Sequence, residues 1–216
     1  MSELEYHRNE LRIALSADDP ARMLPTLPDD FERILDLGCG IGQTLAACHL
    51  HPKVFACGID IDEEALASGR RLLPGISFLR GRGERLPFSD QSFDVVISRV
   101  ALPYTHLPSA LAEIFRVLRP GGSVWFTLHS FALTQQGLRR ALCEVNLQNL
   151  IYQSYVMVNG LLFHLTGRQF RYPFNQQRCE SFQTRTGMIR AMQQAGFTEV
   201  TAEDGHFFIS TAVRRS

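Results

Sequence analysis

The chain has 216 residues, of which 45% are hydrophobic, and its 22 Lys and Arg residues balance its 22 Asp and Glu residues. This length and hydrophobic fraction predict one domain, residues 1–216, with a sizeable core. A net charge of zero argues against nucleic acid as a partner, because proteins that bind it usually carry a basic excess.

Targeting signals and metal-binding patterns are both missing from the sequence. No apolar segment follows a basic start, so we expect no signal peptide. The five cysteines form no CxxC pair, which favours reduced thiols, a cytoplasmic location and no metal site. The apolar part of residues 130–185 is too short and too interrupted for a transmembrane segment.

Strands and helices alternate through the first part of the chain. An amphipathic helix is predicted within residues 1–25, ahead of a core at residues 30–130. The periodicity of that core predicts strands at residues 33–37, 53–60, 76–80, 93–98 and 123–129, separated by helices at 43–51, 62–73 and 108–118. Such alternation predicts a parallel sheet covered by helices on both faces.

The rhythm changes after residue 130. Helical spacing through residues 130–185 predicts a helical insertion or lid over the carboxyl edge of the sheet, with a hinge at Asn159–Gly160. Residues 186–216 then predict a helix and two strands that meet at Asp204–Gly205, a strong hairpin signal. That hairpin would add an antiparallel edge to the sheet.

Three glycines alternate in the stretch ILDLGCGIGQ, residues 34–43, directly behind a predicted buried strand. Ligands of open parallel sheets bind outside the carboxyl ends of the strands, where this loop lies. Without side chains, Gly38, Gly40 and Gly42 let a ligand approach the backbone, and N–H groups at a helix start favour an anionic group. We predict a ligand site here; the alternative is a tight turn that only tolerates glycine.

Asp60 ends the second predicted strand about twenty residues after the glycine loop. A carboxylate in that place can accept hydrogen bonds from both hydroxyls of a ribose, which indicates a nucleoside-containing cofactor. A dinucleotide fingerprint would need a third glycine at position 43, where the chain has Gln43. NAD is therefore a poor fit, and a nicotinamide-dependent oxidoreductase remains only as an alternative.

Four successive stretches resemble the motifs of class I S-adenosylmethionine-dependent methyltransferases: ILDLGCGIGQ, GIDIDEEALASGR, GERLPFSDQSFDVVIS and LAEIFRVLRPGGSVWF. The resemblance covers roughly residues 30–130. It implies an α/β fold of the Rossmann-like, doubly wound kind, with a seven-stranded, mostly parallel sheet and an antiparallel terminal hairpin. It also implies S-adenosyl-L-methionine as the cofactor.

The same resemblance implies roles for individual residues. Asp36 would engage the methionine end of the cofactor, Asp60 the ribose and Ile61 the face of the adenine, while the backbone of Ser98 would face the methionine amino group. The glycine loop would be formed by Gly38, Cys39, Gly40 and Gly42. Cys39 is expected to fill the loop rather than act as a nucleophile.

One stretch departs from the pattern of the family, which commonly has Gly-Asp-Ala after the third strand. This chain has GRGE, which places Arg82 where an acid would accept from the adenine N6 amine. An arginine has no acceptor. Either Glu84 or a backbone carbonyl near Gly83 takes that role, while Arg82 stacks or turns to solvent.

Methyl transfer to a hydroxyl usually benefits from a general base, whereas a thiol or an amine needs little help. Tyr104 and His106 follow the fourth strand and His129 follows the fifth, so these three are the candidate catalytic residues. The aromatic insertion, with Arg168 and Arg171, suits a small, partly apolar molecule methylated at oxygen. The alternative function is a catalytically silent protein that binds S-adenosylmethionine or a partner, and the oligomeric state is open.

Overall fold

The computed structural model describes residues 3–204 and 208–215 and contains one seven-stranded sheet with the order β3-β2-β1-β4-β5-β7-β6. The strands are β1 (Arg33–Leu37), β2 (Phe55–Asp60), β3 (Ser77–Arg80), β4 (Phe93–Arg99), β5 (Leu118–Leu128), β6 (Thr198–Asp204) and β7 (Phe208–Val213). The helices are α1 (Glu3–Leu15), α2 (Gln43–Ala47), α3 (Glu63–Leu72), α4 (Leu107–Val117), α5 (Phe131–Cys143), α6 (Leu147–Thr166) and α7 (Arg185–Gln194), with a 3₁₀ turn at Leu102–Tyr104.

The first five strands are parallel, and β7 lies antiparallel between β5 and β6. Helices cover both faces: Leu111 and Met188 belong to the large core cluster on one face, whereas Leu45 packs with Ile34 and Trp125 on the other. The predicted α/β, doubly wound fold with an antiparallel terminal hairpin is therefore confirmed. Gly205, which the hairpin prediction placed in the turn, lies outside the described residues.

Two elements differ by four or more residues from the ranges predicted for them, whereas the ends of the others agree within two. The helix expected at residues 43–51 ends at Ala47, because His49 has a left-handed backbone (φ 48°) that an α-helix cannot continue through. The fifth strand begins at Leu118 instead of residue 123, since Leu118 pairs with Phe93 and the Gly121 N–H donates to the Arg214 carbonyl.

The insertion consists of two helices, α5 and α6, followed by an extended segment at residues 167–184. Helix α6 runs unbroken through the predicted hinge at Asn159–Gly160. The fully buried Asn159 side chain donates to the carbonyls of Phe170 (3.1 Å) and Glu180 (2.8 Å), and it accepts from the Phe170 N–H (2.9 Å). Asn159 therefore fastens the extended segment to α6 at the position of the predicted hinge. Whether the insertion moves as a lid stays a prediction.

We expect Asn159→Leu to lower the free energy of unfolding by about 2–4 kcal/mol, because it leaves buried backbone groups of the extended segment without partners. Urea denaturation followed by circular dichroism measures the change. The matched control is Gln148→Leu, an exposed polar residue on the same helix. Equal stabilities of the two variants would show that the Asn159 hydrogen bonds do not hold the segment.

Candidate active site

A cavity of about 570 Å³ opens at the carboxyl ends of β1, β2 and β4. This volume falls within the range of small-molecule and cofactor sites, roughly 300–1,000 Å³. Six residues predicted from the sequence line it: Gly38, Asp60, Ile61, Gly83, Glu84 and Tyr104. The cavity therefore lies at the edge of the sheet where the sequence predicts the glycine loop.

All three glycines of the loop have left-handed backbones, with φ values of 74°, 55° and 87°. A Cβ atom at Gly38 would lie 2.0 Å from the Cβ of Ala101, and one at Gly40 would lie 2.5 Å from Nδ1 of His7. The glycines therefore make room for neighbouring parts of the protein, and of the three only Gly38 lines the cavity. Their backbone angles are ones that other residues rarely adopt.

The N–H groups of the glycine loop are already paired within the protein. Those of Gly38 and Cys39 donate to the Ile59 carbonyl at 2.8 and 3.2 Å, and that of Ile41 donates to Oε1 of Gln43 at 3.2 Å. An anionic group at this helix start would therefore share donors that the protein already uses, and its binding there stays a prediction.

The Asp60 carboxylate bridges the loops that follow β1 and β2. Its Oδ2 accepts from the Gly40 N–H at 2.8 Å, and its Oδ1 accepts from the Asp62 N–H at 3.0 Å. A carboxylate oxygen has two lone pairs, so each atom keeps the capacity for a further hydrogen bond. Next to it, the side chain of Ile61 is 59% exposed and lines the cavity. The pair offers an oriented acceptor beside an apolar surface.

Asp36 lies behind the cavity wall, fully buried, and neither of its carboxylate oxygens has a hydrogen-bond partner among the described residues. Burial raises the pKa of Asp36 from 3.8 to about 7; nearby Arg99 opposes that rise and Asp60 adds to it. A buried carboxyl without a partner costs free energy, which is typical of residues kept for function. Asp36 does not line the cavity itself.

Two further residues of the predicted cofactor set are packed away from the cavity. The Cys39 thiol lies against Gly58, where a Cβ atom would be 2.6 Å from the sulfur, and burial raises its pKa well above the ordinary value. It therefore fills the loop and is a poor nucleophile. The Ser98 hydroxyl donates to the Leu37 carbonyl at 2.8 Å and joins β4 to β1.

The stretch that departs from the family pattern forms one wall of the cavity. Arg82 is exposed there, whereas the Glu84 carboxylate is held from behind. Its Oε1 accepts from the His106 N–H at 3.1 Å and lies 3.8 Å from Nη2 of Arg171. The orientation of Glu84 is therefore set by the protein and not by a ligand.

The three candidate catalytic residues differ in their access to the cavity. Tyr104 lines it, while neither His106 nor His129 does. The His106 ring is hydrogen-bonded to the Ser109 hydroxyl at 2.8 Å, and that of His129 meets Tyr104 edge to face, with centroids 5.0 Å apart. Neither histidine side chain lines the cavity, so a catalytic role for His106 or His129 stays a prediction.

Burial sets the protonation of these three groups. It raises the pKa of Tyr104 to about 12, helped by the charges of Glu180 and Tyr6, so Tyr104 keeps its proton at neutral pH. It lowers the pKa of His129 below 6.5, and burial together with Arg171 lowers that of His106. Both histidines are therefore neutral near pH 7.

Helix α1 and the extended segment contribute lining residues that the sequence does not single out. Tyr6 and His7 come from α1, whereas Asn175, Gln177 and Arg178 come from the extended segment. Helix α1 is fastened by an ion pair between Arg99 and Glu10 at 2.7 Å, in which both side chains are largely buried. The only sequence signal was that an amphipathic helix precedes the first strand.

A parallel sheet with a glycine loop and a cavity at the carboxyl ends of its strands is an arrangement typical of nucleotide-cofactor domains. A family model described as a methyltransferase domain matches residues 35–126, which span the glycine loop, Asp60 and β5. The chain carries a class I S-adenosylmethionine-dependent methyltransferase domain, whose cofactor is S-adenosyl-L-methionine. The family expectation from the sequence is thus confirmed.

Known proteins similar to this chain include enzymes with different named substrates. Phthiotriol/phenolphthiotriol dimycocerosates methyltransferase of Mycobacterium leprae is 39% identical over 54% of this chain and 40% of that protein. Demethylmenaquinone methyltransferase of Chlorobaculum parvum is 26% identical over 83% of this chain and 73% of that protein. The chain spans about two fifths of the first of these relatives.

The fold also matches that of a solved S-adenosylmethionine-dependent methyltransferase of Thermotoga maritima. The TM-score is 0.61 at 19% identity, with 98% of this chain and 95% of the other covered. No helix in the described part of this chain has the length and apolar character needed to cross a membrane.

Asp36 generates a prediction about pH. Because its pKa is about 7 in the folded protein and near 3.8 when unfolded, the folded state binds more protons between these values. The free energy of unfolding should therefore fall as pH rises from about 4 to 7 and level off above. Asp36→Asn should remove this fall, and exposed Asp18→Asn should keep it. Denaturation at pH 5, 6, 7 and 8 compares the slopes; parallel curves for wild type and Asp36→Asn would contradict the assignment.

Asp60→Ala should weaken binding of S-adenosylhomocysteine by about 1.5–3 kcal/mol, measured by calorimetry, because a charge-assisted hydrogen bond is lost. It should also lower the stability of the protein without ligand, since two backbone N–H groups lose their acceptor. Glu64→Ala, an exposed change on α3, is the control. Unchanged affinity in Asp60→Ala would show that the acid does not contact the ligand.

Proposed function

We propose that this protein transfers a methyl group from S-adenosylmethionine to a small, partly apolar molecule, and that the acceptor atom is oxygen. The observation that carries the proposal is the Asp60 carboxylate, held between two backbone N–H groups at the rim of a cavity of about 570 Å³. This oriented acceptor has the chemistry required to bind a ribose diol.

The remaining walls fit the other parts of the same cofactor. Ile61 offers an apolar surface for the adenine ring, and Glu84 offers a carboxylate for its N6 amine. The partnerless Asp36 carboxylate directly precedes Leu37 and Gly38, which line the cavity, and we place the methionine end of the cofactor on this side, where its cationic amino group would compensate the carboxylate. When bound, the cofactor supplies an electrophilic methyl group on a sulfonium.

Arg82 is proposed to stay off the adenine edge, because a guanidinium and an amine are both donors. Two observations support this arrangement: Arg82 is exposed, and the Glu84 carboxylate is held beside it by His106 and Arg171. His7 lines the cavity as well, and its Nδ1 atom is buried with no partner among the described residues. It is therefore a further candidate contact for the cofactor.

The acceptor is proposed to enter past Tyr104 and the extended segment, which contributes Gln177 and Arg178 to the lining of the cavity. Similar proteins are named for phthiotriol dimycocerosates and for demethylmenaquinone, which supports a partly apolar substrate. Most aromatic side chains of the insertion pack on one another, as Tyr155 does on Phe170 and Tyr172, and do not face the cavity. The cytoplasmic location remains a prediction from the cysteine pattern.

Deprotonation of a hydroxyl acceptor needs a base, and His129 is the proposed one. Its lowered pKa leaves an unprotonated ring nitrogen at neutral pH. Tyr104 lines the cavity and its ring contacts that of His129, so its hydroxyl is the proposed hydrogen-bonding contact to the acceptor. The role of this chain is then to align the acceptor, exclude water and accept one proton.

A catalytically silent S-adenosylmethionine-binding protein is the second candidate, favoured by the absence of both histidines from the cavity lining. Two measurements separate the candidates: calorimetry with S-adenosylhomocysteine, and mass spectrometry of a panel of hydroxylated quinols and phenols incubated with S-adenosylmethionine. Binding together with a methylated product supports the enzyme. Binding without any product supports the silent protein, and NAD binding in place of S-adenosylhomocysteine would contradict both.

For an acceptor identified in that panel, His129→Asn should lower kcat by about 10²–10⁴-fold, with cofactor affinity unchanged. The wild-type rate should fall only below pH 6.5, because the base must be unprotonated and burial lowers its pKa. The variant should lose this dependence, and exposed His51→Asn should retain it. Loss of a general base lowers kcat by about 100-fold or more. A variant whose kcat stays within about threefold of the wild-type value would therefore show that His129 is not the base.

A further inference from the structure

Helix α6 has one face that nothing in the described chain covers. Its other faces contact α5, where Gly137 packs against Gln153, and the extended segment, which Asn159 and Gly160 hold. The open face carries a line of exposed residues, called here the α6 stripe: Leu147, Ile151, Ser154, Val158, Leu161 and Leu165. The exposed fractions of its apolar members range from 45% to 69%.

The stripe has the spacing of a helix-pairing seam. Successive members are separated by alternating steps of four and three residues along the sequence. Their mean step of about 3.6 residues equals the repeat of an α-helix, so the side chains stay on one side of α6 and can line a contact between two helices packed side by side. Helix α6 is 20 residues long, so the stripe extends over about 30 Å. Soluble monomers rarely expose a continuous apolar line of this length.

The stripe is also symmetric about position 156. Ser154 and Val158 lie two residues to either side of that position, Ile151 and Leu161 lie five, and Leu147 and Leu165 lie nine. Two α6 helices in antiparallel orientation would therefore bring each member opposite its counterpart. Both copies of a two-fold dimer present the same surface, so this symmetry places apolar residues opposite apolar residues and Ser154 opposite Val158.

Opposite charges lie beyond the two ends of the stripe. Glu144 caps the end of α5, just before α6 begins, and Arg168 follows Gly167, the residue that caps the end of α6. Both are exposed, and neither forms an ion pair within residues 3–204 and 208–215. In an antiparallel pair, the end of α6 next to Glu144 in one copy lies beside the end next to Arg168 in the other. The two-fold axis repeats this contact, so the dimer has two such pairs of opposite charges. Parallel pairing would instead place like charges together.

A membrane surface fits this face less well. Helices that lie in a membrane interface usually carry many Lys and Arg residues on their polar side. Helix α6 has no Asp, Glu, Lys or Arg among its 20 residues. Its polar residues, such as Gln148 and Asn149, are neutral.

We propose that the α6 stripe is a dimer interface that pairs with the α6 stripe of a second copy, antiparallel about a two-fold axis at position 156. The small Ser154 near the axis lets the two helices approach closely. This inference does not depend on methyl transfer.

The test is sedimentation velocity of the full chain over a dilution series. We expect a monomer–dimer equilibrium. Val158→Glu should raise the dissociation constant of the dimer by roughly 100-fold or more, because it buries a charged side chain near the two-fold axis. Val158 is 56% exposed in the monomer, so the variant should keep its circular dichroism and its melting temperature under dilution. Leu133→Glu, an equally exposed apolar residue on α5 outside the stripe, should dimerise like the wild type.

Charge reversal tests the antiparallel register. Glu144→Arg and Arg168→Glu should each weaken dimerisation about three- to tenfold at low salt, and the double variant should restore it. Three results would overturn the proposal: a monomer at every concentration, equal weakening by Val158→Glu and Leu133→Glu, or double-variant dimerisation no stronger than that of the single variants. A monomer that binds phosphatidylcholine–phosphatidylglycerol vesicles through the stripe would also overturn it and would assign the face to membranes.

Discussion

The site depends on one carboxylate at the carboxyl end of β2. Asp60 accepts one hydrogen bond from the loop after β1, through Gly40, and one from its own loop, through Asp62. The two loops meet because β1 and β2 are parallel neighbours in the sheet. Asp62 in turn accepts from the N–H groups of Glu64 and Ala65 and begins α3. The acid proposed to bind ribose is thus also the residue that fixes the rim of the cavity.

The glycine loop and Asp62, which form part of this rim, also determine where α1 lies. Since Gly40 has no side chain, His7 packs directly on the glycine loop, and its Nε2 lies 4.0 Å from Oδ2 of Asp62. The Arg99 guanidinium is paired with Glu10 of α1, so it acts on Asp36 only through space and leaves that carboxyl without a hydrogen bond. Helix α1 therefore acts on the site in two ways: His7 packs on the glycine loop, and Glu10 holds the Arg99 guanidinium whose charge acts on Asp36.

Much of this arrangement could be read from the sequence, because the signals for it are local. Alternating periodicity fixes the order of strands and helices, and Asp62 caps α3 as a single-residue signal. Long-range contacts left no such signal. His7 reaches the glycine loop only after α1 has docked, and the directions of the His106 and His129 rings depend on Ser109 and Tyr104. Sequence placed these histidines at the correct edge of the sheet, but it could not orient their side chains.

Helix α6 links the two proposals through its opposite faces. Its inner face holds the extended segment by the hydrogen bonds of Asn159, and that segment contributes Gln177 and Arg178 to the lining of the cavity. Its outer face bears the α6 stripe. In the proposed dimer, α6 of each copy would lie between α6 of the other copy on one face and its own extended segment on the opposite face. Because one rigid helix would carry both contacts, dimerisation would restrict how far the mouth of the cavity can move, and the size of acceptor admitted would depend on the assembly.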